Sequence, residues 1–204
     1  TTIAKGLEDI LRSKGIDVEM LDGDNLRKTI SKDLGFTKED RDKNIERVVY
    51  LSKILIKHNI IVLSSFISPY AEKRDWARQY IGDFMEVYVK CPLEVCEQRD
   101  VKGLYAQARK GIIKDFTGIS DPYEEPLNPE LILDTHHDPV ELCVGNVLKK
   151  LYERGYVQVT PDFKNKERWK MSKIKIDKAG FISRNEVFGK TVFERDTFKF
   201  LFMD

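Results

Sequence analysis

The sequence has few cysteines, no long apolar run and no excess charge of either sign. Its three cysteines, Cys91, Cys96 and Cys143, lack CxxC spacing, which argues against a disulfide framework and favours a reduced, cytoplasmic setting. No apolar run approaches the roughly 20 residues that span a bilayer. The 35 basic and 34 acidic side chains nearly cancel, so no overall field indicates nucleic acid or an anionic membrane as partner. Any anionic ligand must therefore be bound by local groups.

What the sequence does contain is an alternation of short apolar runs with segments of helical periodicity. The 204 residues, 41% of them hydrophobic, are enough for one ordinary core. The apolar runs lie at 18–21, 60–66, 84–89 and 131–133. This alternation predicts an α/β protein with a parallel sheet.

Two helices are predicted in more detail. Apolar residues at helical spacing predict a long amphipathic helix over 38–58, capped by Thr37 with Asp40 three positions later. A second helix is predicted over 139–154, ending at Gly155, which suits a left-handed C-terminal position.

Two segments have a different texture. Residues 102–128 contain three glycines and two prolines among basic and aromatic residues, which is typical of a ligand-covering loop and equally of an inert surface excursion. Residues 161–204 are rich in Lys and Phe with alternating stretches, so we predict a small β-rich extension there.

The run Leu-Asp-Gly-Asp-Asn at 21–25 closes one predicted strand and opens a helical stretch. Open parallel sheets bind their ligands at such positions. The two carboxylates could hold Mg²⁺ or accept a hydroxyl proton; alternatively, the run is an acidic turn with Asp24 or Asn25 as helix cap. Polar side chains that could converge on the same end of the sheet, or simply be solvated, are Arg27, Arg41, Asn44 and Arg47.

Ser68 follows a buried strand and precedes Pro69, so it lies at the same predicted edge. Taken alone it would cap the next helix. No histidine lies in a plausible place for a hydrolase triad. The adjacent histidines His136 and His137 are better explained as a polar turn than as a metal site, since no Cys or His pair has the spacing to complete a metal site.

Several longer strings, taken together, resemble adenylylsulfate (APS) kinases, which are P-loop enzymes. The strings are LDGDNLR at 21–27, DLGF at 33–36, DRDKNIERV at 40–48, FISPY at 66–70, KGLYAQARKG at 102–111, DFTGISDPYEEP at 115–126 and LILDT at 131–135. They occur in family order and cover about residues 1–157. The resemblance implies a three-layer P-loop NTPase-like fold and transfer of the ATP γ-phosphoryl group to the 3′-hydroxyl of APS, giving 3′-phosphoadenylylsulfate.

The resemblance also implies roles for individual residues. Asp24 would be the metal-linked residue and proposed base, and Lys102 would reach the substrate from the lid. Phe36 and Phe116 would sandwich the APS adenine. In bacterial relatives, the serine at the position of Ser68 is described as a phosphoserine. Direct in-line transfer does not require a phosphoserine intermediate. Arg27, Arg41 and Asn44 would grip the phosphosulfate, and Ile67 and Ser68 would line the same substrate. Positions 106 and 107 are Ala and Gln where relatives usually have Lys, so phosphate contacts from them are not expected.

On the ATP side, residues 1–7 resemble the end of the Gly-x-x-x-x-Gly-Lys-Thr loop and its helix, with Thr1 as the Mg²⁺-ligating hydroxyl. Thr2, Arg99 and Arg109 would contact the nucleotide. The glycines, the lysine and the strand before them are expected upstream of Thr1. Without that strand, two buried strand edges would be left unpaired. Gly189-Lys190-Thr191 does not replace the loop, because Arg184 stands where its first glycine should be.

These observations predict a kinase domain over 1–160 and an extension of unknown role over 161–204. The expected cofactor is Mg²⁺ and the expected partners are ATP and APS, with a homodimer and an association with ATP sulfurylase implied by the family. Two alternatives stay open: a P-loop kinase of another small molecule, and a catalytically silent nucleotide-binding or regulatory module.

Overall fold

The computed structural model describes residues 1–158 and 200–203. The helices are α1 Thr2–Ser13, α2 Gly23–Lys28, α3 Lys38–Ile56, α4 Ala71–Ile81, α5 Leu93–Arg99, α6 Leu104–Arg109 and α7 Val140–Glu153. The strands are β1 Val18–Asp22, β2 Ile61–Ser65, β3 Phe84–Lys90, β4 Leu131–Asp134 and β5 Phe200–Met203. None of the helices in this part of the chain is long and apolar enough to cross a membrane.

The five strands form one sheet in the order β1-β2-β5-β3-β4, and every neighbouring pair is parallel. All the strands therefore end at the same edge of the sheet. The predicted α/β class and its four predicted strands are confirmed.

The core has two halves, one on each face of the sheet. One half joins α1 and α7 to the sheet, with Leu7, Leu11, Val147 and Leu151 almost fully buried. The other half joins α3 and α4 to the sheet. Helices on both faces of a parallel sheet make the predicted three-layer arrangement, and they leave the strand ends accessible to ligands.

The two helices predicted in detail are confirmed almost to their ends. Thr37 caps α3, because its hydroxyl accepts a hydrogen bond from the Asp40 N–H at 3.2 Å. At the other end of the domain, Gly155 follows α7 with φ of 71°. That left-handed conformation favours glycine and ends the helix.

Strand β5 overturns one expectation. The sequence suggested that two buried strand edges would be left unpaired without an upstream strand, but β5 lies between β2 and β3 and pairs with both of them. The reason is that Phe200–Met203 is an uninterrupted apolar run, which suits a strand covered on both faces. These four residues belong to the main sheet, whereas 159–199 and 204 lie outside the described residues. The predicted boundary at 160/161 and the predicted extension stay predictions.

Candidate active site

The turn between β1 and α2 is organised by the buried carboxylate of Asp22. Its Oδ1 accepts hydrogen bonds from the N–H groups of Asp24 and Asn25, at 3.1 and 3.2 Å. Its Oδ2 accepts a hydrogen bond from the Thr1 hydroxyl at 2.8 Å. The alternative in which Asp24 or Asn25 caps the helix is therefore wrong, because Asp22 holds that position. One carboxylate thus fixes the starts of α1 and α2 together.

Gly23 allows this turn to pack directly against the end of β2. A Cβ atom at position 23 would lie 2.8 Å from the Cβ of Phe66, which is closer than two non-bonded carbon atoms approach each other. Any larger residue would push the β1–α2 turn away from the turn at 66–70. The glycine therefore holds two of the predicted substrate-binding strings side by side.

Asp24 projects from the turn into solvent and meets Lys102. The Lys102 ammonium donates a hydrogen bond to Asp24 Oδ2, and both side chains are 61% exposed. An exposed pair of this kind contributes little to stability, so its partners can be exchanged for a ligand at small cost. The structure thus brings together two predicted catalytic residues from distant parts of the chain.

Two guanidinium groups lie close to the ring of Phe36. The Arg27 group lies 4.3 Å from the ring centroid and the Arg41 group 5.7 Å from it. Burial lowers the pKa of Arg27, and the charge of Arg41 lowers it further. The Phe36 ring is still 53% exposed. Two cations beside an accessible aromatic face favour a ligand that is both anionic and flat.

Asn44 lies one turn after Arg41 on α3 and is buried. Within the part of the chain that the structure describes, nothing donates a hydrogen bond to its Oδ1. Buried amide oxygens are normally paired, so this oxygen is available to a ligand. Arg47 differs from the other three predicted side chains, because Asp33 binds its guanidinium at 2.5 and 2.7 Å. Its predicted convergence on the site is not observed.

The turn after β2 presents Ile67 to solvent, 55% exposed, and buries Ser68. The alternative in which Ser68 caps α4 is wrong, because the N-cap residue is Tyr70. The capping hydrogen bond runs instead from the Ala71 N–H to the carboxylate of Glu124, at 2.6 Å. A residue more than 50 positions later thus supplies the cap.

Residues 102–128, called the lid from here on, are fastened to the site. The Arg41 guanidinium donates to the Phe36 carbonyl at 2.9 Å and to the Asp115 carbonyl at 2.6 Å. The Tyr70 hydroxyl donates to Asp121 at 2.9 Å. These contacts favour the ligand-covering interpretation of the segment over the inert one.

Phe116 directly follows Asp115, so Arg41 ties the backbone beside one predicted stacking ring to the backbone beside the other. The Phe116 ring itself contacts Tyr105 edge-on, with centroids 5.0 Å apart. The placement of Phe36 and Phe116 on opposite faces of one adenine stays a prediction.

Two of the residues predicted to contact the nucleotide, Arg99 and Arg109, make contacts within the protein. Arg99 donates to the Thr135 carbonyl just beyond β4, at 2.9 Å. Arg109 in α6 pairs with Glu97 in α5 at 2.5 Å. Thr2 begins α1 and is exposed. Their roles stay predictions.

The two adjacent histidines form the predicted polar turn. His137 Nδ1 lies 2.8 Å from Asp134 Oδ2, and the His136 N–H donates to Asp134 Oδ1 at 3.0 Å. Across residues 1–158 and 200–203, no group of three or more His, Cys, Asp or Glu is arranged to hold a metal ion.

Sequence reasoning missed how the site is held together. Asp22 was noticed only as one of two carboxylates, although the other groups of the turn depend on it. Tyr70, Asp121 and Glu124 lie within the family-like strings, which was the available signal. Arg74 gave no signal, because arginines are usually exposed, yet it is only 3% exposed here.

Comparisons with known proteins point to one family. The sequence profile of the family described as Adenylylsulphate kinase matches residues 1–134. A curated relative from Halothermothrix orenii, named Adenylyl-sulfate kinase, is 54% identical over 79% of this chain and 88% of its own. A second from Pseudomonas aeruginosa, named Probable adenylyl-sulfate kinase, is 54% identical over 74% of this chain and 70% of its own.

Solved structures give the same result. The APS kinase of Mycobacterium tuberculosis, solved in complex with AMPPNP and APS, is 41% identical with a TM-score of 0.70, covering 74% of this chain and 88% of its own. A hexameric APS kinase from Thiobacillus denitrificans is 29% identical with a TM-score of 0.58, covering 78% of this chain and 27% of its own.

Proposed function

Because the chain belongs to the adenylylsulphate kinase family, we propose that it transfers the γ-phosphoryl group of ATP to the 3′-hydroxyl of APS. The single observation that carries this proposal is the meeting of Asp24 and Lys102 beside the Arg27–Arg41–Phe36 cluster. At one edge of the sheet, Asp24 can accept a proton and Lys102 can face a phosphate. The Arg27–Arg41–Phe36 cluster can bind a ligand that is both anionic and flat.

APS has an anionic phosphosulfate and an adenine, and the site offers a partner for each. Arg27 and Arg41 supply two positive charges that would face the phosphosulfate. Phe36 and Phe116 would stack on the adenine, and Asn44 would contribute its unpaired Oδ1. Ile67, exposed beside buried Ser68, would line the same substrate.

The chemical step is a direct in-line displacement. The 3′-oxygen of APS forms a bond to the γ-phosphorus as the bond from that phosphorus to the bridging oxygen breaks, and ADP leaves. Asp24 accepts the proton of the 3′-hydroxyl. Lys102 donates to Asp24 in the structure, so the hydroxyl must displace or share this contact, and the ammonium then faces the phosphates. Most of the acceleration comes from positioning and electrostatics.

The oxygen atoms at this edge fit Mg²⁺. The Thr1 hydroxyl donates a hydrogen bond to Asp22, which leaves the lone pairs of the hydroxyl oxygen for a cation. Mg²⁺ is usually bound by one or two carboxylates together with substrate phosphates, and Thr1 with Asp24 provides such a set. When bound, Mg²⁺ neutralises charge on the phosphate oxygens of ATP.

We further propose a cytoplasmic homodimer that receives its APS from an associated ATP sulfurylase. All three cysteines are free thiols, which agrees with a reducing compartment. The hexameric relative supports self-association. On α3, Tyr50 and Ile54 are exposed apolar side chains four positions apart, which would suit contact with a second copy.

The experiment is a coupled assay of ADP release with ATP, Mg²⁺ and APS, and with adenosine, gluconate or shikimate as control acceptors. We expect turnover with APS only. Equal turnover of a control would contradict the assignment and favour another small-molecule kinase. Tight APS binding without ADP release would favour the silent nucleotide-binding module.

A further inference from the structure

Arg74 on α4 is a buried cation that joins three parts of the molecule. Only 3% of it is exposed. Its Nε lies 2.9 Å from the carboxylate of Glu86 on β3. Its Nη1 donates to the Ser68 carbonyl, and its Nη2 donates to the Glu124 carbonyl at 2.6 Å. The guanidinium also lies 5.9 Å from the ring centroid of Tyr123.

Two of these contacts reach the segments that border the proposed APS site. Ser68 lies in the turn that presents Ile67, and Glu124 lies in the last part of the lid. Glu124 is also bonded directly to this part of the chain: its N–H donates to the Pro69 carbonyl in the turn at 2.9 Å, and its carboxylate accepts from the N–H of Ala71, the first residue of α4. The end of the lid is therefore attached to the turn after β2, with Arg74 beneath the junction.

The chemistry of the side chain explains why it is arginine. A buried cation is costly unless its donors are satisfied, and an ion pair with Glu86 alone would leave several N–H groups unused. A planar guanidinium has five N–H donors in a fixed fork and can serve three acceptors in different directions. Lysine, with a single ammonium on a flexible stem, does not reproduce that geometry. An ion pair with Glu86 would not require the two contacts with the carbonyls, so these contacts indicate a further role for Arg74.

We propose that Arg74 is a positioning residue for APS, which sets the turn at 66–70 and the end of the lid at a fixed separation. In this role Arg74 acts through the Ser68 and Glu124 carbonyls and not through a contact of its own with APS. The inference rests on the proposed function, because it assigns a role within the same site. It requires that changing Arg74 impair APS more than ATP.

Arg78, one turn later on α4, provides a matched control. It also pairs with Glu86, at 3.1 Å, and with Glu130 at 2.5 and 2.9 Å. Among the described residues, no hydrogen bond joins Arg78 to the turn at 66–70 or to the lid. Arg74→Lys and Arg78→Lys therefore weaken the same ion-pair network, but only the first loosens the junction.

The experiment measures KM for APS, KM for ATP and kcat for wild type, Arg74→Lys and Arg78→Lys. Misplacing a substrate-binding segment by about 1 Å can cost a factor of about 100, so we expect the KM for APS to rise about 10- to 100-fold in Arg74→Lys. The KM for ATP should stay within about twofold. Hydrogen exchange over 118–126 should accelerate in Arg74→Lys. In Arg78→Lys, both KM values and the exchange rate over 118–126 should stay close to wild type.

A second pair of variants covers the case in which Arg74→Lys does not fold. Glu124 is exposed, and Glu124→Ala removes its contact with the Ala71 N–H without creating a buried cavity. We expect a rise of about 3- to 10-fold in KM for APS, as loss of a hydrogen bond of about 1 kcal/mol predicts. The neighbouring Glu125→Ala, which is also exposed, should not change it.

The outcomes separate the two levels of the argument. A wild-type protein that does not turn over APS overturns the proposed function and this inference together. Normal APS turnover with equal changes in Arg74→Lys and Arg78→Lys, or equal changes in KM for APS and ATP, overturns only the positioning role. If Arg74→Lys does not fold, an unchanged KM for APS in Glu124→Ala overturns it.

Discussion

Lys102 and Asp24 are 78 positions apart in the chain, yet the first residue of the lid donates a hydrogen bond to the carboxylate that follows β1. Asp24 lies two positions after the end of β1, at the edge of the sheet where all described strands end. Asp22 fixes the backbone beneath it, because its carboxylate holds the N–H groups of Asp24 and Asn25. In the proposed acid–base centre, the backbone of Asp24 is therefore held in place, whereas Lys102 can exchange for a ligand.

Asp24→Asn should lower kcat by at least about 100-fold while leaving the fold intact, because it removes the proposed proton acceptor and a proposed ligand for Mg²⁺. The Asp24 side chain is exposed and does not cap α2, so the melting temperature should change little. Steady-state kinetics and thermal unfolding would measure both, with exposed Glu19→Gln as the control. A near-normal kcat would remove Asp24 from the mechanism.

Phe36→Ala and Phe116→Ala should each weaken APS binding by about 1–3 kcal/mol, the range for a base stacked on an aromatic side chain. ATP affinity should change little. Calorimetric titration with each ligand would measure the effect, and Ile112→Ala in the exposed part of the lid serves as the control. If Phe116→Ala destabilises the free protein and leaves APS affinity unchanged, Phe116 is a packing residue against Tyr105.

Tyr70→Phe should raise the KM for APS by about 3- to 10-fold, because it removes the hydrogen bond that holds Asp121. Burial, together with the Asp121 bond, raises the pKa of Tyr70 to about 12. A raised pKa means that the bond persists at low pH and is lost only as pH rises from about 10 towards 12.

The ratio of KM values between Tyr70→Phe and wild type should therefore be constant from about pH 6 to 9. Tyr80→Phe, a tyrosine on the same helix that is 40% exposed, should match wild type throughout. A ratio that changes with pH in this range would contradict the assigned role of the hydroxyl.

Glu130 should make stability depend on pH in the acid range. Burial would raise its pKa, but hydrogen bonds from Arg78 and from the Glu86 N–H outweigh burial and hold the pKa below the ordinary 4.5. Its contribution is therefore present above about pH 4.5 and is lost as pH falls below that value.

Urea unfolding between pH 7 and 3 would test this. Glu130→Gln removes the titration and should lose less stability than wild type as pH falls through that window, while exposed Glu125→Gln should follow wild type. Parallel curves for Glu130→Gln and wild type would contradict the prediction.

Local signals explain what the sequence could predict. Helix α3 was predicted because its apolar positions recur at helical spacing and Thr37 precedes a polar first turn, and these determinants lie within a few residues of one another. The four strands at 18–22, 61–65, 84–90 and 131–134 were visible for the same reason, since strands covered on both faces read as short apolar runs.

Long-range partners explain what the sequence could not predict. Asp22 and Asp24 differ by two positions and are identical in type, and only the folded turn shows which of them is the cap. The cap of α4 comes from Glu124, which no local pattern connects to Ala71. Likewise, the pairing of β5 with β2 and β3 depends on contacts across more than 100 residues.

The most direct test of the central claim identifies the product of the wild-type reaction. The protein is incubated with ATP labelled in its γ-phosphoryl group, Mg²⁺ and APS, and the adenylate products are separated and analysed by ³¹P NMR and mass spectrometry. We predict ADP and 3′-phosphoadenylylsulfate in equal amounts, with all transferred label on the 3′-oxygen. Label in inorganic phosphate alone would contradict the account, and so would label on adenosine as readily as on APS when adenosine replaces APS in a parallel incubation.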